Sequence, residues 1–157
     1  MRKRIIHHDR QHSAAPDDEW LNIEELAEVE ITSEDPAHPI ESALASDTAL
    51  GWQAAGPGTQ TIRLIFTQPT RLRRIWLAFA ETHVSRTQEY ALRWSPDFGK
   101  SFREIARQQW NFSPESATHE TENHNVDLPA VTALELIITP DISGGPSRAS
   151  LAKLRLA

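Results

Sequence analysis

Apolar and polar residues alternate along most of this chain with a period of two. Ile62, Leu64 and Phe66 share one side of the segment 59–66, and Ile75, Leu77 and Phe79 repeat the pattern within 72–80. Successive side chains of a strand point to opposite faces, so each segment reads as a strand with one buried face. The same reading places strands at 29–32, 88–94, 102–107, 121–127, 134–139 and 150–156, with nearly all prolines and glycines between them. Short strands joined by turns, without long helices, predict an antiparallel sandwich rather than a parallel α/β sheet. One short helix is expected near 21–28, where Asn22 can cap, Glu25 follows three residues on, and Leu21 and Leu26 stand at staple positions. The polar, charged first nineteen residues predict a disordered tail (1–19), which leaves a single domain over 20–157.

The densest signal is a hairpin. Tyr90, Leu92 and Trp94 share a face, Ser95-Pro96-Asp97-Phe98-Gly99-Lys100-Ser101 makes the turn, and Phe102 and Ile105 lie beyond it. This stretch resembles the "strand, Ser-x-Asp-Gly-Lys-x-aromatic, strand" signature of discoidin, or coagulation-factor (F5/8) type C, domains. Three more landmarks keep the order of that family. They are Pro39-Ile40-Glu41-Ser42-Ala43-Leu44 followed by Trp52, the strand at 58–66, and the closing pair at 134–138 and 149–156. The resemblance implies an all-β, galactose-binding-domain-like jelly-roll β-sandwich that binds and does not catalyse.

Composition narrows the setting. A chain of 157 residues suits one domain with its own core, and the absence of cysteine rules out disulfides, thiolate metal sites and a cysteine nucleophile. The formal net charge of −6 argues against a nucleic-acid backbone as partner. No run approaches the roughly 18–20 apolar residues of a membrane helix. The basic start, Met1 to Arg4, is not followed by an apolar run of signal-peptide length, so a cytoplasmic setting is expected.

Catalytic and metal motifs are poorly formed. His119 and His124 stand five apart, one too many for a zinc-binding helix and on opposite faces of a strand. Glycine pairs at 56–58 and 144–146 read as turns, and no nucleophile elbow occurs. His7, His8 and His12 in the tail lack an acidic or thiolate complement. Relatives in the discoidin family hold a structural calcium through an Asp-Gly pair and a Glu on the last strand. Those positions are Ala45-Ser46 and Lys153 here, so no cofactor is expected and the calcium is read as lost, with Glu41 or Asp47 as the residues that could restore it.

Candidate binding residues lie among five tryptophans and the loops. Trp94 in its strand and Trp52 in the opening loop read as structural, and Trp20 as packed on the sandwich. Trp110, with Asn111 beside it in a loop-like stretch 108–114, reads either as a platform for a sugar ring or as a plug in the core. The resemblance adds His83 and Arg86 in the loop 80–88, Arg148 before the last strand, and His38 in the first loop. The expected function is carbohydrate binding through loops at one end of the sandwich. The alternative is an intracellular protein–protein interaction subunit on the same fold.

Overall fold

The computed structural model describes residues 20–45 and 50–157. The tail reading of 1–19, with its three histidines, and the candidate calcium positions Ser46 and Asp47 lie outside the described residues. The elements are α1 (Ile23–Leu26), β1 (Ala27–Ile31), α2 (Glu41–Leu44), β2 (Trp52–Pro57), β3 (Gln60–Ala80), β4 (Arg86–Ser95), β5 (Arg103–Phe112), β6 (His119–Thr139), β7 (Arg148–Leu151) and β8 (Lys153–Leu156). All strand pairings are antiparallel. No helix among the described residues is long and apolar enough to cross a membrane.

Two long strands build the sandwich by serving both layers. The first half of β3 pairs with the second half of β6 inside the row β1-β3-β6-β4-β5, while the second half of β3 pairs with the first half of β6 and with β8. The register breaks between Ile65 and Arg74, where exposed Gln68 and Pro69 turn the strand from one layer to the other. Proline suits such a bend because it has no N–H to offer a ladder. The sequence pattern resolved each long strand into two because the alternation lapses at the bend, and the two halves bury faces in different layers.

Period-two alternation then fills the space between the layers. Ile62, Leu64, Phe66, Leu92, Leu134, Leu136 and Ile138 face Ile75, Leu77, Phe79, Leu154 and Leu156, all buried. At about 1.5–3 kcal/mol for each large side chain removed from water, this face supplies most of the driving force for folding. The β2–β7 pair closes one side. Gly51 enters it at φ 71°, and a Cβ there would sit 2.7 Å from the Leu151 carbonyl oxygen, so this approach requires glycine.

Three sequence expectations are corrected. The helix is a single turn, because Ala27 and Glu28 join β1, although Asn22 Oδ1 does accept from the Glu25 N–H at 3.4 Å. The strand β2 was missed, since Gly56 and Pro57 gave its end the look of a turn. Residues 108–112 belong to β5 and not to a loop, for a reason that bears on the candidate site. The tryptophans read as structural are so placed: Trp52 is buried with its indole N–H on the Ser33 carbonyl (3.0 Å), Trp94 packs against the core, and Trp20 lies under the Arg74 guanidinium (4.9 Å).

Candidate functional site

Strand order gathers several connections at one end of the sandwich. The Glu81 N–H donates to the Thr118 carbonyl (2.8 Å) and the Ile142 N–H to the Thr87 carbonyl (2.9 Å), so the 81–85, 113–118 and 140–147 loops are stitched to that end. Between the Gly58-Thr59 turn and the 140–147 loop lies a shallow recess of about 240 Å³. Its walls carry the hydroxyls of Thr59, Thr139 and Ser147, the Asp141 carboxylate and the apolar side chain of Ile142, which is 49% exposed. Thr59 and Thr139 hydroxyls are 3.2 Å apart, and Asp141 Oδ1 accepts from the Ser143 N–H at 3.0 Å.

Arg148 follows directly on this wall, opposite Pro57 in the β2–β7 pair. Across it lies the 34–39 loop, fixed to β2 by Asp35 N–H to the Gln53 carbonyl (2.8 Å) and Gln53 N–H to the His38 carbonyl (3.1 Å). Asp35 Oδ2 is 3.6 Å from His38 Nδ1. The Asp35 carboxyl is held below its ordinary range, first by the Ala37 N–H, against the opposing effect of burial, and then by His38 and the nearby positive charge of Arg148. His38 and Arg148 therefore converge on one carboxylate beside the recess.

The other sequence candidates are dispersed. Arg86 is the first residue of β4 and only 4% exposed. Its Nε donates to Glu81 Oε1 (2.8 Å), its Nη1 to the Pro140 carbonyl (2.7 Å) and to Gln88 Oε1 (3.2 Å), and its plane lies over Phe112 (4.8 Å). The reading of Arg86 as a ligand contact on the rim is corrected: it ties two loops to the strand beneath them. His83 is exposed at the tip of the 81–85 turn, its N–H donating to Glu81 Oε2 (3.1 Å). Burial pushes the Glu81 carboxyl upward, but the bonds from His83 and Arg86 outweigh it and the net shift is down.

Trp110 and Asn111 are neighbours on one strand and so point to opposite faces. Asn111 lies on the outer face, accepting from the Thr87 hydroxyl at 2.6 Å, while Trp110 turns inward opposite Gln88. The expected rim of Trp110 with Arg86 is therefore not formed. Gln108, Trp110 and Phe112 do keep the period of two, but a glutamine in an inward position hid the strand.

The last strand brings two cations to the end of α2. Lys153 Nζ donates to the carbonyls of Ala45 (2.8 Å) and Ser42 (3.5 Å), and Arg155 Nη1 to that of Leu44 (3.1 Å). The carbonyls at the end of α2 are thus engaged by an ammonium and a guanidinium of the chain itself. His119 and His124 fall on opposite faces of β6, which prevents them from sharing a metal.

No protein-family model and no curated protein matches this chain. Solved structures do. A family 32 carbohydrate-binding module of NanJ from Clostridium perfringens, in complex with galactose, superposes with a TM-score of 0.64 at 15% identity, covering 87% of this chain and 96% of that one. A module of a family 89 glycoside hydrolase from Clostridium perfringens, in complex with GalNAc-β-1,3-galactose, gives 0.64 at 19% identity, covering 87% and 98%. This is the discoidin-like, galactose-binding sandwich fold of the family 32 modules. The same fold superposes on XRCC1 bound to the DNA polymerase β catalytic domain, with a TM-score of 0.60 at 15% identity over 84% of this chain and 95% of that one. At such identities the fold is what the galactose-binding sandwiches share. The recess residues Thr59, Asp141 and Ser147, and Asp35 beside it, escaped the sequence reading. The glycine-rich connection 140–147 was the signal that could have found them, since loops held by a rigid scaffold carry function disproportionately.

Proposed function

We propose that this galactose-binding-type domain is a non-catalytic carbohydrate-binding module, and that a sugar docks in the recess at the loop end. The observation that carries this reading is the recess itself. A pyranose presents hydroxyls that need donors and acceptors, and a C–H face that needs an apolar patch. Thr59, Thr139, Ser147 and Asp141 meet the first need and half-exposed Ile142 meets the second, with Arg148 and His38 adjacent. The family 32 modules solved with galactose and with GalNAc-β-1,3-galactose share the fold and support the ligand class. A shallow site of this size suits affinities from millimolar to micromolar, about 4–8 kcal/mol.

A glycan array followed by calorimetry tests the reading. The wild-type domain is expected to bind at least one neutral glycan. Asp141→Ala and Arg148→Ala should each weaken that binding tenfold or more without moving the melting temperature, because Asp141 lies on a loop and Arg148 is exposed at the start of β7. Binding unaffected by either substitution would move the site elsewhere. A domain that binds no glycan but forms a stable complex with a protein would replace carbohydrate with a protein partner.

A further inference from the structure

The wall of the recess that carries Asp141 and Ile142 has already left the sheet. The β4–β6 ladder ends at the pair Glu89 and Thr139, and Pro140 has no N–H with which to extend it. The first two residues of β4 take over. Arg86 Nη1 donates to the Pro140 carbonyl at 2.7 Å, and the Ile142 N–H donates to the Thr87 carbonyl at 2.9 Å. Asp141 is thus suspended between two fixed points. Beyond them the connection is open: Gly144 and Gly145 stand at φ 82° and 95°, and nothing lies within 4 Å of where a Cβ would be on either.

Arg86 is held on every side. Its side chain is 1% exposed; Nε donates to Glu81 Oε1 (2.8 Å), Nη1 also reaches Gln88 Oε1 (3.2 Å), and the guanidinium lies over Phe112 (4.8 Å). The planar fork is therefore fixed in both place and direction. Stability alone does not call for such a residue. Taking a guanidinium and a carboxylate out of water costs about as much as their attraction returns, and an apolar pair of similar volume is often as stable or more so. What the ion pair adds is a rigid donor beneath the Pro140 carbonyl. Arg86 itself does not line the recess, whereas Pro140, Asp141 and Ile142 do.

We propose that Arg86 is a positioning residue of the carbohydrate site: without touching the sugar it holds the 140–142 wall in the shape the ligand meets, an inference that rests on the recess reading above. A loop that must be ordered on binding lowers affinity, and a wall already held avoids that cost. Releasing the Pro140 carbonyl should therefore weaken binding by about tenfold, the equivalent of ordering one or two side chains. Thr59 stands on the facing wall, in the turn into β3, and keeps its place without Arg86. The loss should thus be partial.

The test combines Arg86→Met with Glu81→Gln in the full chain, so that no carboxylate is stranded where the guanidinium was. Ile75→Val is the control, because it lowers stability from the core without touching the loop end. Amide hydrogen exchange, read by nuclear magnetic resonance, reports the wall with no ligand present. Titration with methyl β-galactoside to about 100 mM, and with the neutral glycan that gives the strongest array signal, reports binding. In the double variant the Ile142 amide is expected to exchange about tenfold faster and the affinity to fall about tenfold, while Ile75→Val keeps the wild-type affinity. A double variant that binds as wild type does would overturn the proposal and leave the recess reading standing. Equal losses in the double variant and in Ile75→Val would overturn it too, reducing Arg86 to a source of stability. Wild-type protein that binds neither sugar would overturn the recess reading, and the positioning role with it.

Discussion

One strand carries two buried glutamates that solve the same problem in opposite ways. Glu135, in the second half of β6, is 1% exposed and faces outward; Glu120, in the first half, is 2% exposed and faces inward. Glu135 is the centre of a row that crosses every strand of its layer: Glu30, Arg63, Glu135, Arg93 and Glu104 are paired side by side from β1 to β5. Arg63 Nε donates to Glu135 Oε2 (2.8 Å), Arg93 Nε donates to Oε1 (2.9 Å), and Phe102 lies over both guanidiniums at 5.8 and 4.5 Å. Glu120 has only a long amide contact and another carboxyl. A buried carboxyl is thus tolerated either as a charge clasped on both sides or as a neutral acid. The first arrangement holds a charge by two cations, and the second holds a proton between burial and a neighbouring carboxyl.

The largest expected effect comes from unclasping the first glutamate. In Arg63→Met with Arg93→Met the stems still pack beneath Phe102, but Glu135 keeps its charge with no cation beside it. Stranding a buried charge costs about 3–5 kcal/mol. The arginines are about a third exposed (37% and 35%), so water reaches them and the lower end is expected. Urea unfolding at pH 7 should show the loss, and adding Glu135→Leu should return at least half of it. A double variant as stable as wild type would show that Glu135 is not held by charge, and the contrast between the two glutamates would fail.

The clasped glutamate was within reach of the sequence and the neutral one was not. Arg63, Arg93 and Glu135 occupy the polar phase of clearly alternating strands, and once the strands are paired their opposite charges fall into line. Such a row follows from local pattern plus register. Glu120, Glu122 and His124 sit in the phase that the pattern reserves for apolar residues, so the segment read only as polar. Their burial depends on β4 crossing them, a contact distant in sequence. Trp110 was singled out among the tryptophans, but its direction is set by the strand continuing through Gln108. Likewise Arg86 could be seen as a loop-end residue, whereas its burial depends on Glu81 and Pro140 closing around it. The hairpin and the antiparallel sandwich came from repeated local signals, and the jelly-roll architecture from the family resemblance. The sites came from long-range contacts that no single segment encodes.

Acid–base behaviour sharpens the comparison next. The folded state holds Glu120 at about 8 against an ordinary value of 4.5. Between those values the folded protein binds a proton that the unfolded chain releases, so stability contributed by this group is complete below about pH 4.5 and falls as pH rises through 8. With sharing between Glu120 and Glu122 discounted, the loss is on the order of 2 kcal/mol. Replacing Glu120 with Gln keeps the neutral shape and removes the proton, so the variant should gain relative stability as pH rises from 6 to 9. Parallel pH profiles of wild type and Glu120→Gln would show that Glu120 is ionised in the fold, and the neutral half of the comparison would be lost.

The smallest effect belongs to the solvent-facing end of the charged row, and it tests whether burial or the row itself matters. Glu30 meets Arg63 at 3.2 Å, as close as many strong pairs, yet its side chain is 61% exposed. Exposed ion pairs contribute roughly 0–1 kcal/mol because water and salt already stabilise both partners. Arg63 also retains Glu135 when Glu30 is neutralised. The expected loss in Glu30→Gln is therefore below about 0.5 kcal/mol, vanishing in about 1 M salt, where screening acts over only about 3 Å. The double arginine variant should keep most of its deficit at the same salt, since a buried charge is poorly screened. A Glu30→Gln loss as large as that of the double variant would mean that the row acts as one cooperative network rather than as a clasp on a single buried carboxylate. The unfolding free energies of the two variants, compared at low and high salt, decide between these.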